Sequence, residues 1–196
     1  MKLVIATRNR HKLEEIRAIF NFASGDIGSA LDFPEIPDTV ENGGTLEANA
    51  VKKATEMCMA TGIPALADDS GLEVEALNGA PGVYSARWAG ENCSYDDNNT
   101  KLLRELAGKE NRCARFRTVL ALVRLGAPPQ TVEGSVRGVI IHKRRGEHGF
   151  GYDPLFVPDG YTQTFAELPP EIKNRISHRA CALAAAVNAW GEFLGK

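Results

Sequence analysis

Leu3-Val4-Ile5-Ala6 is an unbroken apolar run, the pattern of a buried strand, and the apolar positions after it, Leu13, Ile16, Ile19 and Phe20, fall at helical spacing. The chain therefore opens as strand, loop and helix, an arrangement typical of α/β proteins. The loop between them, Thr7-Arg8-Asn9-Arg10-His11, contains no glycine. Asn21 to Asp38 is mixed in character, and its "DFPEIPD" carries two prolines, which predicts an irregular or edge segment. In "TLEANAVKKATEMCMAT" Thr45 caps a helix whose alanine-rich body runs to Gly62. "IPALADDSG" then reads as a short buried strand ending in acid. "ALNGAPGVYSARWAG" reads as a long loop, followed by a helix from about Tyr95 to Leu106. "RFRTVLALVRL", "QTVEGSVRGVII" and "DPLFVP" are β-rich and separated by turn residues, so they predict consecutive antiparallel strands. The last stretch, from Glu171, predicts two helical pieces joined near Ile176-Ser177.

With 196 residues, 43% of them hydrophobic and 24% charged, the chain can bury a full core, and no linker-like tract divides it. One domain is expected. The net charge of -2 lacks the positive field a polymeric nucleic acid would need, but leaves room for a small anionic ligand held by a few local cations. Cys58, Cys93, Cys113 and Cys181 stand far apart and form no C-x-x-C pair, so they read as reduced thiols of a cytoplasmic protein. The run Leu3 to Ala6 is too short for a signal-peptide core, and nowhere do about 18 apolar residues follow one another, so no membrane role is expected.

Four stretches could carry chemistry. Thr7, Asn9 and Lys12 can bring a hydroxyl, an amide and an ammonium to an anion beside a helix N-terminus; the plainer alternative is that Asn9 caps the helix and Lys12 is solvated. Asp68 and Asp69 point to opposite faces of their strand, so one of them can serve a given site. A carboxylate there suits a hard cation such as Mg²⁺ or can accept a proton from water, unless it merely closes a turn at Ser70-Gly71. In "GFGYDPLF" two glycines bracket Phe150, and the rings of Phe150 and Tyr152 either stack on a planar base or belong to the core. "KNRISHR" gathers Lys173, Arg175, His178 and Arg179 near a helix start, where cations oppose the dipole; a solvated helix face is the alternative. The most basic run, "HKRRGEH" from His142 to His148, reads as an exposed hairpin turn.

Taken together, T-x-N-x-x-K from Thr7 to Lys12, "ADDSGLEVEALNGAPGVYSAR", "GFGYDP" and "KNRISHR" resemble the inosine/xanthosine triphosphate pyrophosphatase family over nearly the whole chain and in the same order. The resemblance implies a long, mixed, twisted sheet flanked by helices, two lobes with a central substrate cleft, a single ITPase-like domain over residues 1–196, and a homodimer. It implies hydrolysis of non-standard purine nucleoside triphosphates (ITP, dITP, XTP) to the monophosphate and pyrophosphate with Mg²⁺. Carried over by position, the first motif, Thr7, Arg8, Asn9, Arg10, His11 and Lys12, and Lys53 would bind the triphosphate. Glu41 and Asp69 would hold the metal, with Asp69 as the base. Ser70 would touch substrate, Phe150 would stack on the purine, and Gly151, Tyr152, Asp153, Lys173, His178 and Arg179 would complete the nucleoside pocket. Three positions depart from the usual pattern: Val40 stands where relatives often have a second acid before Glu41, and Arg8 and Arg10 stand where small residues are common. The rival readings are a Maf-type pyrophosphatase with another base choice and a non-catalytic nucleotide sensor. The Asp68-Asp69 pair argues against the sensor, and "GFGYDP" with "SHR" argues against the Maf type.

Overall fold

The computed structural model describes residues 2–20 and 26–194; residues 21–25 of the mixed stretch lie outside the described residues. The elements are β1 (Leu3–Ile5), α1 (Arg10–Phe20), β2 (Ile27–Ser29), α2 (Leu46–Thr61), β3 (Ala65–Val74), α3 (Tyr95–Glu105), β4 (Cys113–Val123), β5 (Gln130–Ile140), β6 (Phe156–Pro158), α4 (Pro170–Ile176) and α5 (His178–Leu194). One sheet contains all six strands in the order β2-β1-β3-β4-β5-β6. β1 runs parallel to β2 and to β3, with Ile5 beside both Ser29 and Leu66, while β5 and β6 are antiparallel. The expected mixed sheet flanked by helices is therefore present.

Several ends form as the sequence predicts. Thr45 Oγ1 accepts from the Ala48 amide at 3.1 Å, and Gly62 closes α2 in the left-handed region at φ 70°. Ser177 separates α4 from α5, where the junction was expected. α3 begins at a reciprocal cap, with Ser94 and Asp97 each accepting from the other's amide.

β3 departs from expectation. It does not end at the acids but continues through Asp68, Asp69, Ser70 and Gly71 to Val74, with no turn at Ser70-Gly71. Asp, Ser and Gly are poor strand formers, so local propensity reads this tetrapeptide as a turn. Cations from other elements neutralise both acids within the strand, and that tertiary pairing overrides the propensity. The run His142 to His148 is exposed, as expected, and lies in the connection between the antiparallel strands β5 and β6, which is longer than a tight turn. The loop after β3 holds helical 3-10 turns at Glu75–Leu77 and Gly82–Arg87.

The chain divides into two compact units. The described residues of Met1–Asp69, Thr118–Gly134 and Arg179–Lys196 make the first, whose core gathers Ile5, Ile16, Phe20, Leu66, Leu120, Leu183 and Trp190. Ser70–Arg117 and Ser135–His178 make the second, packed around Leu72, Leu102, Phe116, Leu155, Phe156 and Phe165. Among the described residues no helix is long and apolar enough to cross a membrane.

Candidate active site

In the first unit, the loop after β1 shapes itself with its own side chains. Thr7 Oγ1 accepts from the Asn9 amide at 3.2 Å, and Asn9 Oδ1 accepts from the Lys12 amide at 3.3 Å, which makes Asn9 the N-cap of α1. The first turn then carries Arg10, His11 and Lys12 with no acid, so positive side chains add to the positive end of the helix dipole. An anion is the occupant such a corner favours. Arg10 and His11 are exposed, whereas Lys12 turns inward. Arg8 binds the segment 33–38: it donates to Asp38 Oδ1 at 2.6 Å and to the carbonyls of Phe33 and Ile36 at 3.2 and 2.5 Å.

Inward of that corner, each acid of β3 has its own partners, as alternating strand side chains require. Asp68 meets Lys12 Nζ at 3.1 Å and Arg179 Nη2 at 3.0 Å, and Arg179 Nη1 also pairs with Glu15 of α1. Burial alone would raise the Asp68 carboxyl, but Lys12, Arg179 and Lys53 hold it far below the usual carboxylate range. Lys12 is lowered from its ordinary value, chiefly by burial and further by Lys53 and Arg179, against the pull of Asp68 and Asp69.

Asp69 is served by α2. Asn49 and Lys53 are one helical turn apart on the same face, so both reach it: Asn49 Nδ2 at 3.1 Å and Lys53 Nζ at 3.0 Å. Lys53 Nζ also donates to Glu41 Oε1 at 2.6 Å, which brings the two expected metal carboxylates onto one ammonium. Asn49 Oδ1 accepts from the Gly43 amide at 2.8 Å and so fixes the Glu41 segment as well. A side chain at Gly43 would put its Cβ 2.6 Å from that same oxygen, which explains the glycine. Burial, joined by Glu41, pushes the Asp69 carboxyl above its ordinary value, against Lys53, Lys12 and the Asn49 hydrogen bond. Burial lowers Lys53, but Asp69, Glu41 and Asp68 outweigh it and leave it raised.

The carboxylates of Glu41 and Asp69, gathered on the one Lys53 ammonium, fit a hard divalent cation such as Mg²⁺, which takes one or two protein carboxylates and completes its shell with water and phosphate oxygens. Among the described residues no group of three His, Cys, Asp or Glu side chains forms a fuller metal cage.

The second unit holds the aromatic residues. Phe150 is half-buried between Gly149 at φ 73° and Gly151 at φ 63°. At Gly149 a Cβ would stand 2.1 Å from Asp153 Oδ2, so only glycine fits. That oxygen accepts from the Phe150 amide at 2.8 Å and from Lys173 Nζ at 2.6 Å, and the ammonium lies 5.0 Å from the Phe150 ring centroid. His178 stacks on Phe116 with centroids 4.7 Å apart and planes at 13°. Tyr152 is buried in the core and donates its hydroxyl to the Ser85 carbonyl at 2.9 Å. Of the two open alternatives for the rings, Tyr152 thus takes the core one. Ser70 is half-buried on β3.

Asn49 and Glu15 belong to none of the motifs that mark the site in the sequence. Both lie at helical spacing from expected site residues, Asn49 four before Lys53 and Glu15 three after Lys12, and that spacing was the available signal.

Fold and side chains together define an α/β protein with a buried lysine and carboxylate centre at the N-terminus of its first helix. Its sequence matches the model of the Ham1 family over residues 3–189. It is 52% identical over 185 residues to a dITP/XTP pyrophosphatase from Geobacter sulfurreducens, covering 93% of each chain. Against a dITP/XTP pyrophosphatase from Desulfotalea psychrophila it is 50% identical, covering 93% of this chain and 82% of the other. A solved HAM1 protein from Coxiella burnetii superposes with a TM-score of 0.88 at 39% identity, over 97% of this chain and 98% of that one. The chain belongs to the Ham1 family.

Proposed function

We propose that this protein hydrolyses non-standard purine nucleoside triphosphates, ITP, dITP and XTP, to the monophosphate and pyrophosphate. The observation that carries the reading is the Asp69 centre: a buried carboxylate raised above its ordinary value, held between Asn49 and Lys53 and next to Glu41. Relatives named dITP/XTP pyrophosphatase at about half identity over nearly the full chain support the substrate class. One uninterrupted family match supports reading residues 1–196 as a single ITPase-like domain.

Phosphoryl transfer depends on positioning and on neutralising charge at the departing oxygens. Lys12 and Lys53 bind the triphosphate, with Thr7, Asn9, Arg10 and His11 of the first motif beside them. Arg8 contributes by holding the segment that leads to Glu41. Asp69, held by Asn49 and Lys53, accepts the proton of the water that attacks the α-phosphorus. A divalent metal, Mg²⁺ in this reading, would sit on Glu41 and Asp69 and supply charge neutralisation at the phosphate oxygens.

Phe150 stacks on the purine, Gly151, Asp153 and the buried Tyr152 shape its loop, and Ser70, Lys173, His178 and Arg179 complete nucleoside recognition. A 6-oxo acceptor with an N1–H donor matches such a site, and adenine presents the reverse. Each unmatched buried group costs about 1–3 kcal/mol. Arg179 is buried and engaged by Asp68 and Glu15. A homodimer in the cytoplasm, with no polymeric nucleic acid or membrane partner, belongs to the same proposal. Its support is the family resemblance, the net charge of -2 and four free thiols.

The test is product analysis with ITP, XTP, ATP, GTP and dTTP, first with magnesium and then with chelator. Monophosphate and pyrophosphate from ITP and XTP alone, lost with chelator, is the expected result. Diphosphate and free phosphate would overturn the site of attack, and equal turnover of dTTP would favour a Maf-type base choice. Asn49→Ala is expected to lower kcat for ITP about 10- to 100-fold with the fold intact by circular dichroism, because Asp69 and the Glu41 segment lose a shared anchor.

A further inference from the structure

One face of α3 carries Tyr95, Asp96, Asn99 and Thr100, and each of them meets the connection from β5 to β6. Arg144, before the Phe150 ring, donates from Nη2 to Thr100 Oγ1 at 2.6 Å and to the Asp96 carbonyl at 2.9 Å, while its Nη1 pairs with the Asp96 carboxylate. The ring itself lies against Tyr95, with centroids 5.9 Å apart. Just after the ring, the Gly151 carbonyl accepts from Asn99 Nδ2 at 2.8 Å. The same nitrogen donates to the Tyr95 carbonyl at 2.9 Å, and Asn99 is 4% exposed.

Phe150 needs such fastening. Both of its neighbours are glycines in the left-handed region, and Gly151 has no side chain to anchor it. The Asp153 carboxylate holds the Phe150 amide, but nothing in that contact fixes the segment after the ring. We propose that this face of α3 is a positioning platform for the base-stacking ring, with Asn99 and Arg144 as positioning residues on either side of Phe150. The inference rests on the reading of Phe150 as the purine's stacking partner. Asn99 and Arg144 act through the loop and do not touch the reacting atoms.

Losing a buried hydrogen bond of this kind changes an affinity by about tenfold. The experiment compares Asn99→Leu and Arg144→Gln with the parent protein for KM and kcat on ITP and for inhibition by tripolyphosphate, which engages only phosphate-binding groups. Asn99→Leu is expected to raise KM about tenfold with kcat within about threefold, and Arg144→Gln to raise it about two- to fivefold. Tripolyphosphate inhibition stays unchanged in both, and in a Phe150→Ala background neither substitution adds further loss.

Arg144 is a surface residue, so its variant keeps the test open if Asn99→Leu does not fold. Unchanged KM in the folded variants, parallel weakening of tripolyphosphate, or full additivity with Phe150→Ala overturns the platform. If Phe150→Ala alone leaves the ITP KM unchanged, the stacking reading fails and the platform falls with it, a result separate from the other three.

Discussion

Asp69→Asn is expected to lower kcat for ITP about a thousandfold while leaving the folded structure in place, because one substitution removes both the proposed proton acceptor and one of the two proposed metal carboxylates. The asparagine keeps the size of the side chain, so Asn49 and Lys53 retain a neighbour of the same shape. What disappears is the charge. A neutral amide cannot take a proton from water at neutral pH, and Glu41 alone offers a divalent cation a single carboxylate. KM for ITP should change much less than kcat, since Lys12 and Lys53, the proposed phosphate-binding lysines, are left in place. Steady-state kinetics with saturating magnesium separate the two effects, and a kcat within tenfold of the parent would remove Asp69 from the base role.

Asp68→Asn is expected to act on stability. It takes from the buried Lys12 and Arg179 the carboxylate that both of them meet, and breaking one member of a buried ion cluster costs about 3–5 kcal/mol. The pH dependence has a defined sign. A carboxyl whose folded pKa is depressed contributes stability that is present above its unfolded value, near 4, and is lost as pH falls below that value toward the folded one. The difference in urea unfolding free energy between parent and variant should therefore be largest near pH 7 and shrink progressively below about pH 4. Arg179→Met in the same chain should recover part of the loss by removing one of the stranded cations. Equal differences at pH 7 and pH 3 would show that Asp68 is not held ionised by this cluster.

These two acids also mark how far the sequence could be read. Their residue types announced chemistry, and alternation along a strand correctly separated their directions. Their setting was hidden: Asp-Asp-Ser-Gly has the local signature of a turn, and only Lys12, Lys53 and Arg179, brought in from α1, α2 and α5, make a strand possible there. The helix ends at Thr45, Gly62 and Ser177 were legible because capping is a local property of the chain.

Arg8 and Asn49 were not legible in the same way. The role of Arg8 is set by the carbonyls of Phe33 and Ile36 and by Asp38, some thirty residues along the chain. Asn49 sits in an alanine-rich helix where nothing local distinguishes it from a tolerated polar residue, and its importance comes from Asp69 and Gly43. At Phe150 and Tyr152 the two glycines signalled an unusual backbone, but burial separated the two rings: Phe150 remains half-exposed, and Tyr152 spends its hydroxyl on Ser85.

The most direct measurement of the proposed reaction is hydrolysis of ITP in ¹⁸O-labelled water with magnesium, followed by mass spectrometry of both products. Attack at the α-phosphorus predicts one ¹⁸O atom in inosine monophosphate and none in pyrophosphate. Label in pyrophosphate, label in free phosphate, or no turnover of ITP at all would contradict it.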